Sequence, residues 1–142
     1  MVQPSKVAIF TNEYPPNIYG GAGVHVEYLS QALARIIPVE VRCFGTQDID
    51  EGNLRVKGYL GWDEVKQNTD ARFTGALDAL SRDLLMAKDN FDADIVHAHT
   101  WYTQLAGFWA KRLWGVPLVV SIHSLEPLRP WKAEQLGNAY HL

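Results

Sequence analysis

The sequence predicts an α/β fold, a doubly wound, Rossmann-like and mostly parallel sheet covered on both faces. Two observations carry this. Short β-favouring apolar runs alternate with longer segments of helical period along the whole chain, which is the pattern of βαβ units. A segment rich in Gly and Pro follows the first of those runs, where such sheets turn from strand to helix.

Residues 6–11 (KVAIFT) form the first predicted strand, and residues 12–23 follow as a turn-rich segment holding Pro15, Pro16, Gly20, Gly21 and Gly23. Val26, Leu29, Leu33 and Ile36 then recur at steps of three, four and three, an amphipathic helix that Pro38 stops. Residues 39–44 give the second strand and residues 54–60, flanked by Gly52 and Gly61, the third. A long helix is predicted over 70–88 with Phe73, Leu77, Leu80 and Leu84 as its buried stripe. Residues 94–98 make the fourth strand. Thr100 is read as the N-cap of a helix over 101–113 with Leu105, Trp109 and Leu113 on its inner face. Residues 117–122 are the fifth strand, and 123–130 leave it as a polar loop marked by two prolines. Right-handed crossovers give the order 3-2-1-4-5 and place the carboxyl ends of strands one, four and five side by side, where ligands bind. A helix begins at 131–137 and no strand follows it, so a truncated domain is expected.

Composition narrows the function. The 142 residues are 47% hydrophobic and 20% charged, enough for one cored domain. The net charge of −3 leaves no basic stripe for nucleic acid. No apolar stretch approaches the roughly 18 residues of a membrane span, and residues 1–10 lack a small-residue cleavage site. One cysteine, Cys43, excludes an internal disulfide and suits the cytoplasm, and a buried thiol is its plain role. The acidic run Asp48, Asp50 and Glu51 reads as a solvated loop.

Three constellations carry chemistry. Gly20, Gly21 and Gly23 lie before a helix start, where close backbone approach and free N–H groups favour a phosphate; a tight turn with no ligand is the alternative. Neither G-x-G-x-x-G nor a Gly-Lys-Ser/Thr P-loop is present. His97 and His99, two apart on a strand, share a face; His97 reads as a hydrogen-bonded core histidine, whereas His99 and Thr100 sit where the strand opens to the crevice. Residues 123–132 (HSLEPLRPWK) form the densest polar cluster, with Arg129 and Lys132 suited to phosphate or carboxylate, or simply solvated. His25, in the first turn of its helix, is divided evenly between solvent and ligand contact. Trp62, Trp109 and Trp114 are read as packing residues.

With residues 13–26 (EYPPNIYGGAGVHV), 97–103 (HAHTWYT) and 123–132 in view, the chain resembles bacterial glycogen and starch synthases. Its likeness is nearer to the actinobacterial-type branch that includes maltose-1-phosphate-forming synthases. The resemblance covers essentially the whole chain and implies the N-terminal, acceptor-side half of a GT-B retaining glycosyltransferase. A C-terminal Rossmann domain carrying the nucleotide pocket would complete it, and the fragment alone would be inactive. By the same resemblance Gly20 and Gly21 approach the donor's diphosphate. His123 is the catalytic residue, meeting a donor sugar hydroxyl and facing the anomeric carbon with its carbonyl. His99, Thr100, Trp101, Arg129 and Lys132 fall on the acceptor side. Thr100 and Tyr102 stand where classical members have Asp and His, and Ile18 and Tyr19 where they have Lys and Thr, which points away from the classical polymer acceptor.

The implied reaction moves glucose from ADP-glucose to an α-1,4-glucan or to glucose 1-phosphate, with no metal and no cofactor, the nucleotide sugar being a substrate. Two other readings compete: a metal-dependent hydrolase using His97, His99 and His123, and a non-catalytic nucleotide-binding module.

Overall fold

The computed structural model describes residues 5–125. Strands β1 (Val7–Thr11), β2 (Val39–Phe44), β4 (Leu54–Tyr59), β5 (Ile95–His99) and β6 (Leu118–Ser121) are parallel, and β3 (Asp48–Glu51) runs antiparallel on the edge of β4. The sheet order is β3-β4-β2-β1-β5-β6. With β3 set aside this is the predicted order, and the direction of winding reverses between β1 and β5.

β1 lies under helices on both sides, so all five of its residues are buried. One layer joins Val7, Ile9, Val39, Val41 and Val56 to Val26 of helix α1 (Gly21–Ala34). The opposite layer joins Phe10, Val96 and Ala98 to Met86 of α2 (Ala71–Lys88) and to Ala106 and Ala110 of α3 (Trp101–Trp114). Arg42, fully buried in that second layer, donates to the carbonyls of Met86, Asp89 (3.3 Å) and Asn90 (2.6 Å) and to the Glu40 carboxylate (2.7 Å). Those carbonyls belong to the end of α2, which has no backbone donors of its own left to satisfy them.

Four expectations are corrected. The acidic run is a strand, not a loop: β3 pairs residue by residue with β4, and its exposed side chains keep it polar. Helix α1 starts at Gly21, inside the segment read as turn, and ends before Ile36, which is exposed. The buried face of α2 is Ala79, Asp83, Met86 and Ala87, while Phe73, Leu80 and Leu84 are exposed. The inner face of α3 is Thr103, Ala106, Gly107 and Ala110, and Leu113 is 65% exposed. Close approach explains the last. A Cβ on Gly107 would stand 2.8 Å from Leu118 and 3.0 Å from Ala98, so only small side chains fit between α3 and the sheet. The large apolar residues are displaced to the flanks.

Candidate functional site

The site is built where β1, β5 and β6 end. Two side chains tie the first two ends together. Thr103 Oγ1 donates to the carbonyls of Phe10 (3.1 Å) and His99 (2.7 Å), and Thr100 Oγ1 donates across to Asn12 Oδ1 (2.8 Å). Thr100 holds φ 66°, ψ 160°, a conformation that costs a β-branched residue on the order of 1–3 kcal/mol. It precedes α3 as expected, yet its hydroxyl caps nothing, being committed to Asn12 instead.

The turn after β1 is pinned at two points. Tyr14, buried, shares a hydrogen bond of 2.8 Å with Ser30 of α1. Glu13 accepts the backbone N–H of Tyr19 and of Gly20 on one carboxylate oxygen, both at 2.9 Å. Here the three glycines separate into two kinds. A Cβ on Gly23 would stand 2.7 Å from the Glu13 carboxylate and 2.9 Å from its Cβ, so this glycine serves the chain's own packing. Gly20 and Gly21 have open space around the missing Cβ, and Gly20 is extended at φ −158°. Among the described residues nothing requires a glycine at either position. The N–H groups of Gly21, Ala22 and Gly23, in the first turn of α1, have no hydrogen-bond partner among the described residues. Gly20, the N-cap, offers no side-chain cap.

Four imidazoles meet beside this turn. His97 Nε2 is hydrogen-bonded to Ser121 Oγ at 2.8 Å, the core role expected of it, and its ring lies 4.0 Å from that of His99. His99 Nδ1 is hydrogen-bonded to His123 Nε2 at 3.0 Å. His25 reaches over from α1, 5.5 Å from the His99 ring and 5.4 Å from that of His123. Desolvation pushes the His99 pKa down to about 3, with the neighbouring histidines adding to it. Burial first and His25 second also lower that of His123, against the pull of Glu13. The buried His99 ring is therefore neutral near pH 7. His97 Nε2 is engaged by Ser121, and His99 Nδ1 and His123 Nε2 by each other, instead of converging on one point, and no group of three or more His, Cys, Asp or Glu among the described residues is placed to hold a metal ion. That geometry does not favour the hydrolase reading.

The three predicted stretches therefore meet at one rim, through Glu13 and His25 on one side and His99, Thr100 and His123 on the other. Two acceptor-side expectations need correction in detail. His99 is fully buried, so its ring touches His123 and not a ligand. Trp101 stacks on Tyr102 at 4.0 Å and lines an apolar groove with Leu80 and Phe108 to which none of the four imidazoles contributes. Arg129 and Lys132 lie outside the described residues. Beside the glycine turn opens a cleft of about 500 Å³ lined by Asn12, Asn17, Tyr19, Phe44, Arg82 and Tyr102. Arg82 lies over the Phe44 ring (4.8 Å) and is paired with Asp78 at 2.7 Å, and its buried Nε has no partner among the described residues. Glu13 and Arg82 were not singled out in sequence. An acid placed before a glycine turn was the available signal for Glu13, whereas nothing local marked Arg82.

Comparison with known proteins places the chain among glycosyltransferases. The family model of Glycosyltransferase Family 4 matches residues 19–141. The alpha-maltose-1-phosphate synthase of Mycolicibacterium smegmatis is 47% identical over 138 residues, which are 96% of this chain and 33% of that protein. Its namesake from Mycobacterium tuberculosis is 46% identical over 137 residues, again 96% and 33%. The chain thus spans about a third of the length of these curated relatives. Among solved structures, sucrose-phosphate synthase from Thermosynechococcus elongatus superposes with a TM-score of 0.56 at 15% identity, over 96% of this chain and 38% of that one, a likeness of fold.

Proposed function

Because this chain belongs to glycosyltransferase family 4, we propose that it is the acceptor-side domain of a retaining GT-B glucosyltransferase that uses ADP-glucose. The favoured acceptor is glucose 1-phosphate, with the end of an α-1,4-glucan as the competing one. The observation that carries this reading is the 47% identity, across almost the whole chain, to a protein named for making α-maltose 1-phosphate.

The geometry supplies a chemical rationale. As the glycosidic bond to the donor's phosphate breaks, negative charge grows on the leaving diphosphate and positive charge on the sugar ring. The unpaired amides of Gly21, Ala22 and Gly23 are fixed dipoles suited to the first, and Gly20 and Gly21 let the phosphates come close. His123 orients the donor sugar by a hydrogen bond, and its carbonyl offsets the second. Glu13 keeps the turn in shape, its own charge met by two backbone N–H groups. The acceptor enters the cleft beside Tyr19 and Tyr102, where Arg82 suits its phosphate; by residue type alone, Arg129 and Lys132 are further cations suited to it. Thr100 holds the β5 end against Asn12 on the wall of that cleft.

A C-terminal Rossmann domain closes over the rim, brings the nucleotide pocket and excludes water that would hydrolyse the donor. No cofactor enters, because the donor carries its own leaving group. Among the described residues no helix is long and apolar enough to cross a membrane; the proposed cytoplasmic location rests instead on the single cysteine, Cys43, which suits a reducing compartment.

The test gives the full-length protein ADP-, UDP- or GDP-glucose with glucose 1-phosphate or glycogen. A disaccharide phosphate of α configuration, made from ADP-glucose, is the expected product. Elongated glucan selects the other acceptor, and no sugar transfer from any donor returns the chain to a non-catalytic binding module.

A further inference from the structure

Sugar binding leaves one feature of the imidazole cluster unexplained. His99 stands at the mouth of the crevice yet is wholly buried, and only one of its ring nitrogens is bonded. Nδ1 meets His123 Nε2 at 3.0 Å, while Nε2 is buried with no partner among the described residues.

A neutral imidazole has one N–H, and two arrangements satisfy the 3.0 Å contact. With the proton on His99 Nε2, a buried N–H is left without an acceptor, the rarer and costlier kind of orphan. With the proton on Nδ1, His99 donates to His123 Nε2, and the buried atom is only a bare lone pair. The second arrangement is the better one. We propose that His99 is a positioning residue, whose Nδ1–H fixes His123 as the Nδ1–H tautomer and leaves that N–H as the donor on the exposed side of the ring.

The surroundings hold this arrangement. The His97 ring lies tilted at 4.0 Å from that of His99 and is itself tied to Ser121, the residue opposite His99 in the β5–β6 register, so a held neighbour flanks the buried His99 ring. The titratable groups facing the pair are His97 on β5, His25 on α1 and Glu13 in the turn after β1. Glu13 draws a proton toward His123 and His25 opposes it. A second proton on His123 would have to sit on Nε2, facing the N–H of His99. His99 could relieve that only by moving its own proton to the orphaned Nε2. His123 is thereby kept a neutral hydrogen-bond donor, suited to a sugar hydroxyl or a phosphate oxygen.

This deepens the proposed transfer reaction and rests on it for its kinetic consequences, whereas the tautomer is readable without any turnover. In the full-length protein labelled with 15N-histidine, long-range 1H–15N spectra near neutral pH should show His123 protonated on Nδ1 and bare on Nε2. An Nε2–H form of His123 overturns the proposal, whichever substrates the enzyme uses. Two variants follow. His99→Asn places an amide N–H where Nδ1–H was; His99→Phe keeps the ring's bulk without a donor. His99→Phe should lower kcat by roughly 10- to 100-fold with KM for the donor within about threefold. Its acid limb should rise by about one pH unit, because His123 Nε2 is then free to take a proton. His99→Asn should stay within about fivefold of the parent turnover and keep its pH profile. Parent-like kcat and acid limb in His99→Phe would sink the proposal, and if that variant does not fold, the spectra and His99→Asn decide.

Discussion

The two helices that begin beside the centre of the sheet start in opposite ways. Helix α1 opens on Gly20, without a side-chain cap, and the amides of Gly21, Ala22 and Gly23 are unpaired among the described residues. Helix α3 opens on Thr100, which is bent into φ 66° and has given its hydroxyl to Asn12. One start is left open, and the other is closed only in that its cap residue is tied to Asn12, since neither helix has a side-chain cap. The difference separates two tasks that the proposed sugar-transferring rim would have to perform. An anion needs donors that nothing else has claimed, whereas the imidazoles need a strand end that cannot move.

Breaking the ligand side outright should have the largest consequence. In the full-length protein, His123→Ala is expected to lower turnover by on the order of a hundredfold or more while circular dichroism and melting temperature stay near the parent's. Wild-type turnover would remove His123 from the site.

The glycines sharpen the contrast within a single turn. Gly23→Ala places a Cβ 2.7 Å from the Glu13 carboxylate and 2.9 Å from its Cβ, which should destabilise the fold by about 1–3 kcal/mol in denaturant titrations. Gly21→Ala meets nothing within 4 Å and should leave stability within about 0.5 kcal/mol. It should nevertheless raise KM for the nucleotide sugar several-fold, because the added methyl stands where the diphosphate approaches. Equal stability losses in the two variants would erase the distinction drawn between them.

The closed side has its own imperfection in Asp83, buried between α2 and α3 with one carboxylate oxygen unpartnered among the described residues. Desolvation pushes its pKa from 3.8 up to about 8, and a backbone hydrogen bond at Ala106 offsets only part of that. The folded state thus holds a proton that the unfolded chain has released at lower pH. Stability contributed by the protonated form is complete below about pH 4 and is lost as pH rises toward 8. Asp83→Asn should flatten this decline and gain on the order of 1–2 kcal/mol at pH 8. A parent protein whose stability is level between pH 5 and 8 would contradict it.

The open helix start was the more legible of the two. Gly20, Gly21 and Gly23 announce a turn at a strand end by residue type alone, and the β-rich runs around them gave β1, β2 and β5 within a residue or so. Buried faces of helices were less legible. Leu and Phe at helical spacing in 73–84 read as an inner stripe, yet the contacts are made through Ala79, Met86, Ala106, Gly107 and Ala110. Periodicity registers where bulk recurs, and the distance between helix and sheet decides whether bulk fits. β3 was missed because a four-residue strand paired on one side buries no alternating set. His25 was undervalued because its partners come from β5 and from the stretch after β6, far away in sequence. The burial of His99 was hidden for the same reason.

Thr100 supplies the smallest and most local test. Two substitutions separate its backbone from its hydroxyl. Thr100→Val keeps the branched side chain at φ 66° and loses the hydrogen bond to Asn12, so it should cost about 1–2 kcal/mol. Thr100→Gly loses the same bond but relaxes the backbone, since glycine occupies positive φ without a Cβ penalty, and the two effects should cancel to within about 0.5 kcal/mol. Activity should order them the other way. The glycine variant frees the β5 end that carries His99, so its turnover should fall further than that of the valine variant despite its higher melting temperature. If turnover instead tracks stability through both, Thr100 is only a packing residue, and the closed start of α3 does nothing for the imidazoles beside it.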